Sequence, residues 1–167
     1  MLSAADILGI PDDAPESLYH GAAAEAGLER LDVHYMARIY LTRHGAGPLP
    51  FEYGEKRFPG IVDDTNVPNA WQGSLRFAPL NVDLLGHAIA RDLATCRSKP
   101  TIRVRPCLAM TCLDQVDGPV EIVSNGKLTK VAAEEAVEAA ARPAIAGSAS
   151  MSFGPTRRSI VSQSRRQ

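Results

Sequence analysis

Residues 81–110 read NVDLLGHAIARDLATCRSKPTIRVRPCLAM, and this stretch decides the fold class. Its first half has a helical period. Val82, Leu85, Ala88, Ile89 and Leu93 fall on one face, and Asn81 stands where an N-cap belongs. The spacing predicts a helix from about Val82 to Ala94. The second half, Thr101 to Met110, reads as a strand, in which Ile102 and Val104 lead into the buried-type run Cys107-Leu108-Ala109-Met110. A helix feeding such a strand predicts an α/β fold.

The same logic extends outward. Upstream, Val33, Tyr35, Ala37, Ile39 and Leu41 alternate with His34, Met36, Arg38 and Tyr40, the period-two signature of a strand. That strand runs into Thr42-Arg43-His44-Gly45-Ala46-Gly47-Pro48-Leu49-Pro50, where glycine and proline forbid helix and central strand. Pro59, Gly60, Pro68 and Gly73 predict loop to about Pro79. Downstream, Val120 to Val123 predicts a short strand, and Asn125-Gly126 a type I′ turn into a second strand, Lys127 to Val131. Ala132 to Ala141 reads as helix, with Pro143 ending it, and Ile145 to Ser152 as a small-residue strand before a Gly154-Pro155 turn. The Ala-rich residues 1–30 read as a helical N-terminal segment: a short turn over Ala4 to Leu8, then a helix from Pro15 to Ala26 with Gly27 as its stop. Three regions result: 1–30 helical, 31–161 α/β, and a polar tail, 162–167, expected to be disordered.

Composition narrows the function classes. The chain has 167 residues, enough for one domain. A net charge of -1 supplies no field for nucleic acid or an anionic membrane. No apolar run reaches the roughly 18 residues of a spanning helix, and the N-terminus lacks the basic start of a signal peptide. Cys96, Cys107 and Cys112 form no CxxC pair, which fits a reducing, cytoplasmic setting and apolar filler. His20, His34, His44 and His87 are scattered singly, so no metal site is expected. Trp71 reads as a packing residue.

Two motifs could carry chemistry. Arg43-His44-Gly45 after a strand resembles the RHG signature of histidine phosphatases, which would make His44 a nucleophile on phosphate. That family needs a second active-site histidine, and His87, the only later one, sits inside the predicted helix. The longer string Tyr40 to Glu52 resembles the TRxGxGPxPTE segment of the adenylosuccinate synthetase family, through Thr42, Arg43, Gly45, Gly47, Pro48, Pro50 and Glu52, with Phe51 in place of Thr. Further resemblances follow in family order. Asn69 to Phe77 is similar to the substrate loop, its Trp-Gln-Gly form matching a divergent branch that includes viral 2-aminoadenine-pathway synthetases. Met110 to Gly118 resembles the TKLDVLDG guanine-recognition segment, and Ser152 to Arg157 resembles its STGPDR partner.

The resemblance covers about Tyr35 to Val161, and implies the α/β architecture of the C-terminal part of that family's fold, a partial mixed, mostly parallel sheet with flanking helices. It implies the C-terminal part of a ligase that joins aspartate to a 6-oxopurine nucleotide, with GTP or ATP as the substrate nucleotide. It places Asp114, Ser152 and Gly154 on the nucleotide base, and Gln72, Gly73 and Arg76 in the aspartate loop. Arg43, Gly45, Gly47 and Pro48 would shape the bend behind the site. Cys112 stands where the family has Lys, and Ser74 where it has Arg. The family's GDEGKGK-type loop, with its phosphate-cradling amides, magnesium ligand and catalytic groups, has no counterpart before residue 40. The resemblance therefore implies a chain inactive alone, with Mg2+ entering only through a complementing N-terminal chain. A homodimer is a further implied partner.

Overall fold

The computed structural model describes residues 27, 29–54, 61, 68–71, 73–95, 103–142, 145 and 147–163. Among these, the elements run β1 (Arg30–Arg38), β2 (Tyr40–Arg43), β3 (Arg76–Asn81), α1 (Val82–Thr95), β4 (Arg103–Thr111), β5 (Val120–Ser124), β6 (Lys127–Val131), α2 (Ala133–Ala141), β7 (Ala149–Ser152) and β8 (Ile160–Gln163). The fold is mixed α/β. The helices expected over 4–8 and 15–26 lie outside the described residues, as do Gln72 and Cys96.

The strands form two four-stranded sheets, ordered β1-β4-β7-β8 and β2-β3-β5-β6. In the first, β1, β4 and β7 run parallel, with Arg38 opposite Thr111 and Met110 opposite Met151. Their carboxyl ends therefore meet at one edge. β8 closes that sheet antiparallel. In the second sheet, β2 and β3 are antiparallel, β3 and β5 parallel, and β5 and β6 a hairpin. Both helices bear on the strands: α2 touches β4, β5 and β7, while α1 touches β5 and α2. The Tyr35 hydroxyl of β1 donates to Asp92 of α1 at 2.7 Å.

The α1 expectation holds in detail. Val82, Leu85 and Ile89 are buried, and the Asn81 side chain accepts the Leu84 amide at 2.9 Å. The Asn125-Gly126 turn also forms as expected, both residues at positive φ, 52° and 69°. Asp83, in the first turn of α1, accepts both turn amides, at 2.9 and 2.8 Å. One apolar cluster joins the sheets, including Ile39, Tyr40, Phe77, Leu80, Leu108, Met110, Ile122, Val137 and Met151.

Five expectations change. The single strand over Val33 to Leu41 is two strands in different sheets. The chain switches at Ile39, whose amide donates to the Thr111 carbonyl at 3.1 Å. Alternation continues across the switch, so the period conceals it. The loop expected to run to Pro79 stops at Leu75, because Arg76–Asn81 forms β3 with Phe77 to Asn81 buried. Pro79 is tolerated because β5 joins β3 only from Leu80 onward, so on that side the missing N–H faces no partner strand. The strand expected over Ile145 to Ser152 begins at Ala149; the Ile145 amide instead donates back to the carbonyl of Ala141, the last residue of α2, at 3.1 Å. Finally, the tail expected to be disordered from 162 starts with two residues of β8, Ser162 and Gln163, paired with Ser150 and Ala149. Arg30, placed in the N-terminal segment, opens β1.

Candidate functional site

Two polar regions stand out, and one aromatic residue lies between them. The first is the turn that follows β4. Cys112 adopts a left-handed conformation (φ 65°, ψ 26°), unusual for a residue with a side chain, and the chain then closes a single 3-10 turn over Leu113–Gln115. The Gln115 amide donates to the Cys112 carbonyl at 3.2 Å. Leu113 is buried and anchors the turn, leaving Asp114 exposed at its apex.

The second half of this region follows β7. The Ser152 hydroxyl donates to the Gly154 carbonyl at 2.9 Å. Gly154 has φ 156°, and a Cβ there would lie 2.9 Å from Ser159 Oγ, so glycine is required. Phe153 donates to the Ser159 carbonyl at 2.9 Å and Ser159 to the Thr156 carbonyl at 3.0 Å, which makes residues 153–159 a self-closed turn. Because β4 and β7 are parallel neighbours, the Asp114 and Ser152–Gly154 turns leave the same sheet edge side by side, and the 3-10 turn touches β7. In open parallel sheets this edge is where ligands bind.

The second region is the bend after β2. Arg43 and Arg76 face each other across the β2–β3 ladder. Arg43 turns back on its own loop, its Nε and Nη2 donating to the Ala46 carbonyl at 3.2 and 3.1 Å. Arg76 grips the far side. It forms a bidentate pair with Glu52, and its Nη1 donates to the carbonyls of Gly45 and Gly47 at 2.8 and 3.0 Å. The Arg76 guanidinium holds the Glu52 carboxyl below its usual range, and Glu52 raises Arg76 in return. Gly47, at φ 114°, has no room for a side chain, since a Cβ would run into the Arg43 guanidinium. Pro48 is exposed on this bend, and His44 Nδ1 is buried within it. The arginine expected to meet a substrate carboxylate thus holds a carboxylate of its own chain. Gly73 closes a small β-bridge with Asn69, and the Trp71 at its tip is 94% exposed rather than packed.

Tyr40 lies between the two regions. It is 2% exposed, stands on β2 opposite Pro79, and packs its ring on Phe77 at 5.9 Å. Its hydroxyl donates to Gln115 Oε1 in the 3-10 turn. Burial pushes the phenol far above its ordinary pKa; Cys112 and Asp114 act in the same direction and Arg38 opposes them. Tyr40, Cys112, Asp114 and Arg38 therefore share one electrostatic neighbourhood at the carboxyl edge.

The residues expected to read a base, Asp114, Ser152 and Gly154, are brought to one edge. The substrate-loop residues Gly73 and Arg76 lie with β3 and its approach, outside that turn pair. Sequence reading missed Tyr40 and Gln115 as partners, 75 positions apart, and Glu52 as the mate of Arg76, 24 positions apart. No local spacing encodes either pairing. Among the described residues, no three His, Cys, Asp or Glu side chains come together as metal ligands, and no helix is long and apolar enough to cross a membrane.

No protein-family model matches the chain, and no curated protein matches it.

Proposed function

We propose that this chain is the base-recognition part of an adenylosuccinate synthetase-like ligase. Such an enzyme uses a nucleoside triphosphate to phosphorylate the 6-oxygen of a purine nucleotide, and the aspartate amine then displaces phosphate. The observation that supports this reading is the adjacency of two turns. The segments resembling the family's guanine-recognition strings, 110–118 and 152–157, are far apart in sequence. They emerge together from β4 and β7 at one sheet edge.

The chemistry follows from donors and acceptors. An ionised Asp114 carboxylate is acceptor-only and matches the adjacent N1–H and 2-amino donors of guanine. Adenine offers no donor at N1, so the same carboxylate disfavours ATP. The Ser152 hydroxyl proton is engaged by the Gly154 carbonyl, which leaves its oxygen as a further acceptor for the base edge. The arginine clasp around residues 44–52 gives the site a fixed wall. Oxygen activation, phosphate cradling and magnesium binding would fall to a complementing N-terminal chain, as the resemblance implies. The chain alone is then a nucleotide binder without turnover.

Calorimetry on the purified chain tests this. GTP binds, ATP binds at least tenfold more weakly, and Asp114→Ala weakens GTP by about tenfold or more, the loss of two hydrogen bonds to a charged group. Absence of GTP binding, or an Asp114→Ala variant that binds like the parent, overturns the reading.

A further inference from the structure

The base-reading turn is not self-sufficient. Cys112 is left-handed without being glycine, and the turn holds a single internal backbone bond, Gln115 to Cys112. The side-chain brace on its far end is the Tyr40 hydroxyl, which reaches Gln115 from the other sheet. Three features suit Tyr40 to this work. Its ring is fixed by burial and by Phe77. The chain just before it is pinned where Ile39 donates to Thr111, the last residue of β4. Its phenol stays protonated across physiological pH, so it keeps the proton that it donates to Gln115 Oε1.

We propose that Tyr40 is a positioning residue for nucleotide-base selection, acting through Gln115 on the angle of the neighbouring Asp114 carboxylate. This inference rests on the base-recognition reading above. Two donors on one base edge must meet two carboxylate oxygens, and a bidentate match is sensitive to tilt. A turn released from its brace still presents a negative charge. It no longer presents both oxygens in the plane of the base. Tyr40 therefore governs discrimination between bases with two adjacent donors and bases with one.

The test compares GTP with inosine triphosphate, which lacks the 2-amino donor, on the full 167-residue chain. The parent prefers GTP by about tenfold, the weight of one hydrogen bond to a charged group. In Tyr40→Phe that preference falls below about threefold, with GTP weakened and inosine triphosphate nearly unchanged. Gln115→Ala does the same from a half-buried surface position, which answers the question if the core variant fails to fold. A purely structural role weakens both nucleotides in parallel and leaves their ratio intact; that result overturns the inference alone. If the parent binds neither nucleotide, the inference falls together with the base-recognition reading. If Asp114→Ala abolishes the preference while both brace variants keep it, recognition stands and the brace does not.

Discussion

At the residue scale, the most committed groups are the two arginines of the bend. Arg76 uses both edges of its guanidinium, one for Glu52 and one for the carbonyls of Gly45 and Gly47, a geometry that lysine cannot copy. The pair has a defined pH dependence. Glu52 has its pKa lowered in the folded chain, so its contribution is complete above its ordinary value, 4.5, and is lost as pH falls through the depressed folded value. The expected outcome is a thermal midpoint for the parent above that of Glu52→Gln at neutral pH, with the two converging as pH falls through the depressed folded value. Scanning calorimetry on both proteins across that range checks it. A gap that stays constant with pH would show that the carboxylate charge plays no part. Sequence reading found Glu52 and Arg76 separately, as positions in two motif-like strings. Their pairing depends on a loop folding back onto β3, and no periodicity records that.

At the element scale, local rules worked where one element decides its own form. The α1 helix begins at its Asn81 cap and buries the face its period indicates, and the Asn-Gly turn forms with both residues at positive φ. Asn81→Ala removes the acceptor for the Leu84 amide and should cost about 1 kcal/mol. At this size that lowers the melting temperature by roughly 2–4 °C, measurable by circular dichroism. An unchanged midpoint would mean that water replaces the cap without loss. Local rules failed where a neighbour decides. Pro79 lies inside β3, where the sequence predicts loop. It comes just before β5 joins at Leu80. In that position a missing N–H breaks no ladder on the open side. Which strand arrives, and where, is a property of the whole sheet.

At the scale of the whole molecule, the two sheets share one apolar cluster, which predicts that they unfold as one unit. Leu108 is fully buried on β4, between β1 and β7, within the shared cluster. Leu108→Ala should cost about 2–5 kcal/mol through lost burial and the cavity left behind. Denaturant unfolding followed by far-ultraviolet circular dichroism should move as a single transition to a lower midpoint; two separated transitions would mean that the sheets are energetically independent. The fold class was legible from residues 81–110, since one helix and one buried strand suffice to name it. The division into two sheets was not, because it hangs on Ile39 alone, a residue that fits the alternation on either side. That one-residue passage has a mechanical consequence. Connectors between moving bodies ordinarily contain slack, and this one has none: the peptide after Arg38 leaves one sheet and Tyr40 already belongs to the other. The turn at Asp114 is joined through the Gln115–Tyr40 hydrogen bond to β2, which leads directly into the arginine-held bend. The single residue Ile39, itself tied to Thr111, is all the chain that separates the two sheets at this point.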